Sequence, residues 1–121
     1  MKIVNLETFR ALPIGTVFSK YRPQIFDNPM VKDRTTEHDF YYQDLVGNIE
    51  NIGDFDLFDK CDQMEQDEDI NMPLDFDTIT RDGLYEKEQL FAVYSEEDVE
   101  QLILRLQKAL SDYRKGIKDE T

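Results

Sequence analysis

An α+β domain is the fold class the sequence predicts. It comprises an antiparallel four- to five-stranded sheet packed by a long C-terminal helix, with a second, shorter acidic helix beside it. Three observations predict it. Short runs rich in β-branched and aromatic residues, 16–21 and 40–46, are bounded by turn residues. Leu90-Phe91-Ala92-Val93-Tyr94 is an apolar run of buried-strand length. Val99, Leu102, Ile103, Leu106, Ala109, Leu110 and Tyr113 then recur at three- and four-residue steps, on one side of a helix. The 121 residues, 40% of them hydrophobic, suit a single domain over 1–121 with its own core.

Taken in order, Asn5 caps a short helix carrying Leu6, Phe9 and Leu12, which Pro13 ends. Gly15 gives a turn into the strand 16–21, and Pro23 ends it or places it at an edge. Asp27-Asn28-Pro29 is a turn before a second strand at 30–32. Residues 40–46 form the third strand. Gly47-Asn48 reads as a hairpin turn returning residues 49–52 alongside, so 16–52 is an antiparallel meander.

Asp54 caps the acidic helix after Gly53, with Leu57, Phe58, Cys61 and Met64 inward and Asp56, Asp59, Asp62 and Gln63 outward. Residues 66–75 are a loop. Phe76 and Ile79 mark a short strand, and Asp82-Gly83 is a second hairpin-type turn. After the strand 90–94, Ser95 and Asp98 make a capping box with Asp in place of the usual Glu. The acids Glu96, Glu97, Asp98 and Glu100 precede the bases Arg105, Lys108, Arg114 and Lys115, matching the helix dipole. Gly116 suits the helix end, and 118–121 a frayed tail.

The net charge is −13. Residues 37–100 hold twenty-one acidic and three basic side chains, whereas 1–36 and 101–121 are each mildly basic. Direct nucleic-acid binding is disfavoured, since it rests on Lys and Arg meeting phosphates, and anionic membranes are disfavoured likewise. A basic partner is favoured by long-range attraction. The single Cys and the absence of a signal pattern or spanning apolar run predict a reducing, cytoplasmic setting.

The candidate partner-binding residues are Asp54, Asp56, Asp59, Asp62, Glu65, Asp67, Glu68, Asp69, Glu96 and Glu97, read as a row imitating phosphates. The plainer alternative is a solvated face that keeps the protein soluble. No catalytic, cofactor or metal site is expected. Asp67-x-Asp69-x-Asn71 matches the opening of an EF-hand loop. Met72 stands where the turn glycine belongs and Thr78 where the bidentate Glu belongs, leaving at most weak divalent-cation association. His38 lacks a nucleophile at recognisable spacing, and Cys61 reads as a small core residue. Tyr41 and Tyr42 read as half core and half protein interface.

Leu12-Pro13-x-Gly15-Thr16-Val17-Phe18-Ser19-Lys20-Tyr21-x-Pro23 resembles the N-terminal segment of small acidic proteins encoded in phages and prophages. Arg81-Asp82-Gly83, then Leu90-Phe91-Ala92-Val93-Tyr94 and a Glu-rich helix start, looks like their C-terminal half. The resemblance implies a phage accessory protein acting in the host cytoplasm, a context in which anti-defence, anti-CRISPR and DNA-mimic proteins occur. The expectation is a non-enzymatic inhibitor that occupies a basic host protein or ribonucleoprotein complex. The alternative is a structural or homo-oligomeric phage protein, with Leu104 off the main apolar face and available to another subunit. An enzyme with a convergent carboxylate site is a third class, requiring raised carboxylate pKa values.

Overall fold

The computed structural model describes residues 1–50, 57–84 and 86–119. The elements are β1 (Lys2–Val4), α1 (Leu6–Arg10), β2 (Val17–Arg22), β3 (Ile25–Phe26), β4 (Met30–Thr35), β5 (Phe40–Asp44) and β6 (Asn48–Ile49). They continue as α2 (Leu57–Gln66), β7 (Leu74–Asp75), β8 (Thr80–Arg81), β9 (Leu90–Val93) and α3 (Glu96–Asp119). The α+β class holds: an antiparallel sheet, a long C-terminal helix and a shorter helix.

Among the described residues the main sheet has seven strands rather than four or five, in the order β1-β9-β2-β4-β5-β8, with β3 folded back on the end of β2. The extra members are β1, β3 and β8, each two or three residues long. β2, β4 and β5 form the expected meander. Pro23 does not end the pairing. It starts a two-residue turn in which Gln24 takes φ +65°, and Arg22 pairs with Ile25.

The Gly47-Asn48 hairpin is not formed. β6 pairs with β7 as a separate two-stranded ribbon, Asn48 opposite Asp75 and Ile49 opposite Leu74. Gly47 answers a close approach instead of a turn, since a Cβ there would lie 1.9 Å from the Asp75 carbonyl oxygen. Residues 51 and 52 of the expected return strand lie outside the described residues. Gly83 does take a left-handed φ of +72°, but it joins no hairpin, because β8 pairs with β5 and β9 with β1 and β2.

One face of the sheet is covered by α1, which Asn5 caps by accepting the Thr8 N–H at 2.9 Å. Phe9 reaches from this helix onto Phe18, Phe40 and Phe91, with ring centroids 4.6, 5.0 and 4.1 Å away, and all four rings are buried. Val4, Leu6, Leu12 and Tyr42 pack around them. Strand alternation puts Ser19 and Ala92 on the other face, where the Tyr94 hydroxyl lies 2.9 Å from Ser19 Oγ.

The long helix meets the sheet through its first two turns alone. Val99 and Leu102 are half-buried, and from Ile103 through Lys118 every residue is exposed. Ile103, Leu106, Leu110 and Tyr113, expected to face inward, are 49%, 57%, 48% and 65% exposed. α3 also runs through Gly116 without stopping. Its 24 residues reach about 36 Å, and only the first two turns meet the domain.

Candidate functional site

α2 and the loop after it carry six exposed acidic side chains between residues 59 and 69. Lys60, Cys61 and Met64 are half-buried and mark the side that meets the rest of the chain, with Lys60 Nζ donating to the Glu50 carbonyl. Leu57 and Phe58 do not join them, contrary to expectation, and are 44% and 78% exposed. At about 100° per residue Phe58 falls roughly 110° round the helix from the mean direction of Lys60, Cys61 and Met64.

Asp59, Asp62 and Glu65 are exposed along this helix, and Asp67, Glu68 and Asp69 continue exposed in the loop after it. The loop is ordered by Asp67, whose Oδ1 accepts the Asp69 N–H at 3.0 Å and whose carbonyl accepts the Ile70 N–H at 3.2 Å. Among the described residues no lysine or arginine bridges Asp62, Glu65, Asp67, Glu68 or Asp69. Asp54 and Asp56 lie outside the described residues.

Glu96 and Glu97 belong to a different element. They open α3 after β9, and Glu96 lines a groove with Lys2, Ile14 and Val99, to which α2 contributes no residue. The capping box forms as expected, with Asp98 N–H donating to Ser95 Oγ at 3.1 Å and Ser95 N–H to Asp98 Oδ2 at 2.9 Å. The Met1 ammonium donates to the same Oδ2 at 2.8 Å. That contact, followed by those from Ser95, lowers the Asp98 pKa to about 2. The structure therefore gathers Asp59, Asp62, Glu65, Asp67, Glu68 and Asp69 on one helix and its loop, and places Glu96 and Glu97 beside another groove.

The remaining candidates have local roles. His38 is exposed and sits 3.8 Å from Glu37. Asp75 accepts from Asp77 N–H, Thr78 N–H and the Thr78 hydroxyl, and the Thr78 hydroxyl first, then the two N–H groups, hold its pKa below the ordinary value. Tyr42 packs on the core, and burial first, then the carboxylates of Asp44 and Asp82, raise its pKa. Tyr41 lies under the Arg34 guanidinium, 3.8 Å from its ring centroid. Among the described residues no three His, Cys, Asp or Glu side chains converge to hold a metal ion, Asp67 and Asp69 included.

Two features escape residue-by-residue reading. One is that the apolar stripe of α3, legible as periodicity, is left exposed. The other is the pair of grooves flanking its base, about 660 and 720 Å³ in volume. Their walls come from α3 together with segments far away in sequence, so no local motif announces them. No protein-family model matches the chain, and comparison with curated proteins and with solved structures gives no significant match.

Proposed function

We propose that this is a non-catalytic accessory protein of phage type. It docks the carboxylates of α2 and the following loop onto a basic surface of a nucleic-acid-processing or defence protein of the host, and thereby obstructs that surface. The observation that supports the reading is the exposure of Asp59, Asp62, Glu65, Asp67, Glu68 and Asp69 with no basic side chain bridging the last five. Such a field attracts a cationic partner over about a Debye length and weakens as salt is added.

Charge spacing bears on how literal any nucleic-acid mimicry is. Asp59, Asp62 and Glu65 span six helical steps, about 9 Å of axis. Three charges in that length is roughly half the density of duplex DNA, which carries one per ~1.7 Å. The surface therefore suits electrostatic docking on a basic groove better than phosphate-by-phosphate imitation.

The test is capture from host lysate by the intact protein and by Asp59→Lys/Asp62→Lys/Asp67→Lys, each at low and high salt. A basic partner retained only by the unaltered protein, only at low salt, and released by added duplex DNA supports the reading. A partner held equally by both proteins rejects it. The exposed stripe of α3 favours a second role, self-association.

A further inference from the structure

We propose that α3 pairs with the α3 of a second copy of this chain, antiparallel, in a two-stranded coiled coil. This goes beyond the acidic-surface reading and rests on different residues. Val99, Ile103, Leu106, Leu110, Tyr113 and Ile117 follow one another at alternating steps of four and three. That is a heptad, with Ile103, Leu110 and Ile117 at a, and Val99, Leu106 and Tyr113 at d. Leu102 and Ala109, at g, flank this seam on one side. Of the seam residues all but Val99 are exposed large side chains, from 47% for Ile117 to 65% for Tyr113. Leu104 lies off this seam and lines the groove at the helix base.

Charge decides both the occupant and its direction. The first turns carry Glu96, Glu97 and Glu100, while residues 101–118 carry Arg105, Lys108, Arg114, Lys115 and Lys118 against Asp112 alone. Parallel pairing lays like charge on like charge along the whole helix. Antiparallel pairing about a two-fold axis near residue 108 sets Val99 against Ile117, Ile103 against Tyr113 and Leu106 against Leu110 of the second copy. Every a and d position is then used.

The same register brings Glu100 at e opposite Arg114 at e of the second copy, and it opposes the helix dipoles. The base of α3 is shaped for that arrival. The groove lined by Leu12, Ile14, Val93, Glu96, Val99 and Glu100 offers apolar wall and carboxylates to the tip that bears Ile117, Arg114 and Lys115. The seam thus continues from the exposed helix into a receiving groove.

The test is sedimentation equilibrium of the full chain across a micromolar concentration series, with far-UV circular dichroism to confirm that each variant is folded. The expected result is a dimer of twice 14.3 kDa. Leu110→Glu should weaken it roughly 100-fold or more by placing a charge in the seam. Arg114→Glu should weaken it about 10-fold, since two symmetry-related pairs are lost. Glu100→Arg with Arg114→Glu should return it to within about threefold of the unaltered protein.

The charge swap separates directions, because in a parallel pair the two side chains lie about 21 Å apart along the axis. A monomer throughout the series overturns the proposal, as does a dimer indifferent to Leu110→Glu. A swap that fails to rescue overturns the antiparallel register. Monomeric binding of the stripe to phosphatidylserine-containing vesicles, with no dimer in solution, also overturns it.

Discussion

The rings of Phe9 and Phe91 lie face to face, 4.1 Å between centroids and 4° from parallel. A five-residue helix near the start of the chain is thereby fixed to a central strand near its end. The core is organised by this contact rather than by the long helix, whose outer turns leave the domain. The same four-ring cluster takes one phenylalanine each from α1, β2, β5 and β9, so three neighbourhoods of the sheet meet at one side chain.

Phe9→Ala is therefore expected to be the most damaging single truncation. It removes a fully buried ring that touches three others, and a cavity under a short helix collapses poorly. The expected loss is about 3–5 kcal/mol, read from the denaturant midpoint at unchanged slope. Leu106→Ala, on an exposed turn of α3, should leave the midpoint of the dilute protein within about 0.5 kcal/mol.

Lys20 and Asp82 form a largely buried ion pair, Nζ to Oδ1 at 2.5 Å, with the two side chains 15% and 9% exposed. Lys20→Met leaves the carboxylate without its cation and should cost about 3 kcal/mol. Lys20→Met/Asp82→Leu removes both charges and should recover most of that loss. A double variant no better than the single one would show that the pair matters for packing rather than charge.

Gly47→Ala should act locally. Its Cβ would come within 1.9 Å of the Asp75 carbonyl oxygen, so β6 and β7 must separate. The ribbon should lose about 1–3 kcal/mol. The reporter is hydrogen exchange at Glu50, whose N–H donates to the Pro73 carbonyl at 2.8 Å. It should accelerate while the amides of β2 and β9 do not.

The start of α3 should be sensitive to acid. The folded pKa of Asp98, about 2, is below the ordinary 3.8, so the unfolded chain binds more protons between those values. The stabilisation is complete above about pH 4 and is lost as pH falls through about 2. Asp98→Asn should therefore differ from the unaltered protein at pH 6, with the gap closing on acidification. Paired urea titrations across that range provide the measurement. A gap that stays constant to pH 2 contradicts the assignment.

Much of the fold is legible where local chemistry decides it. Asn5, Phe9 and Pro13 mark α1, β-branched and aromatic runs bounded by turns mark β2 and β5, and Ser95 with Asp98 marks the start of α3. The outer strands β1 and β8 are too short for a pattern and exist only through their neighbours β9 and β5. Gly47 misleads because glycine before asparagine is a turn signal, whereas here the need is clearance from a distant backbone. The stripe on α3 is visible as periodicity, but periodicity does not say what lies opposite it. The acidic run is equally plain in the sequence, and only the fold separates Glu96 and Glu97 from the carboxylates of α2.

β1 and β8, at the margins of the main sheet, hold three and two residues. A growing fibril requires a long unpaired rim on which incoming chains can stack indefinitely. These stubs provide almost none. Concentrated solutions of the protein should therefore stay clear and free of thioflavin-positive material, even under conditions where other small β-rich domains gel.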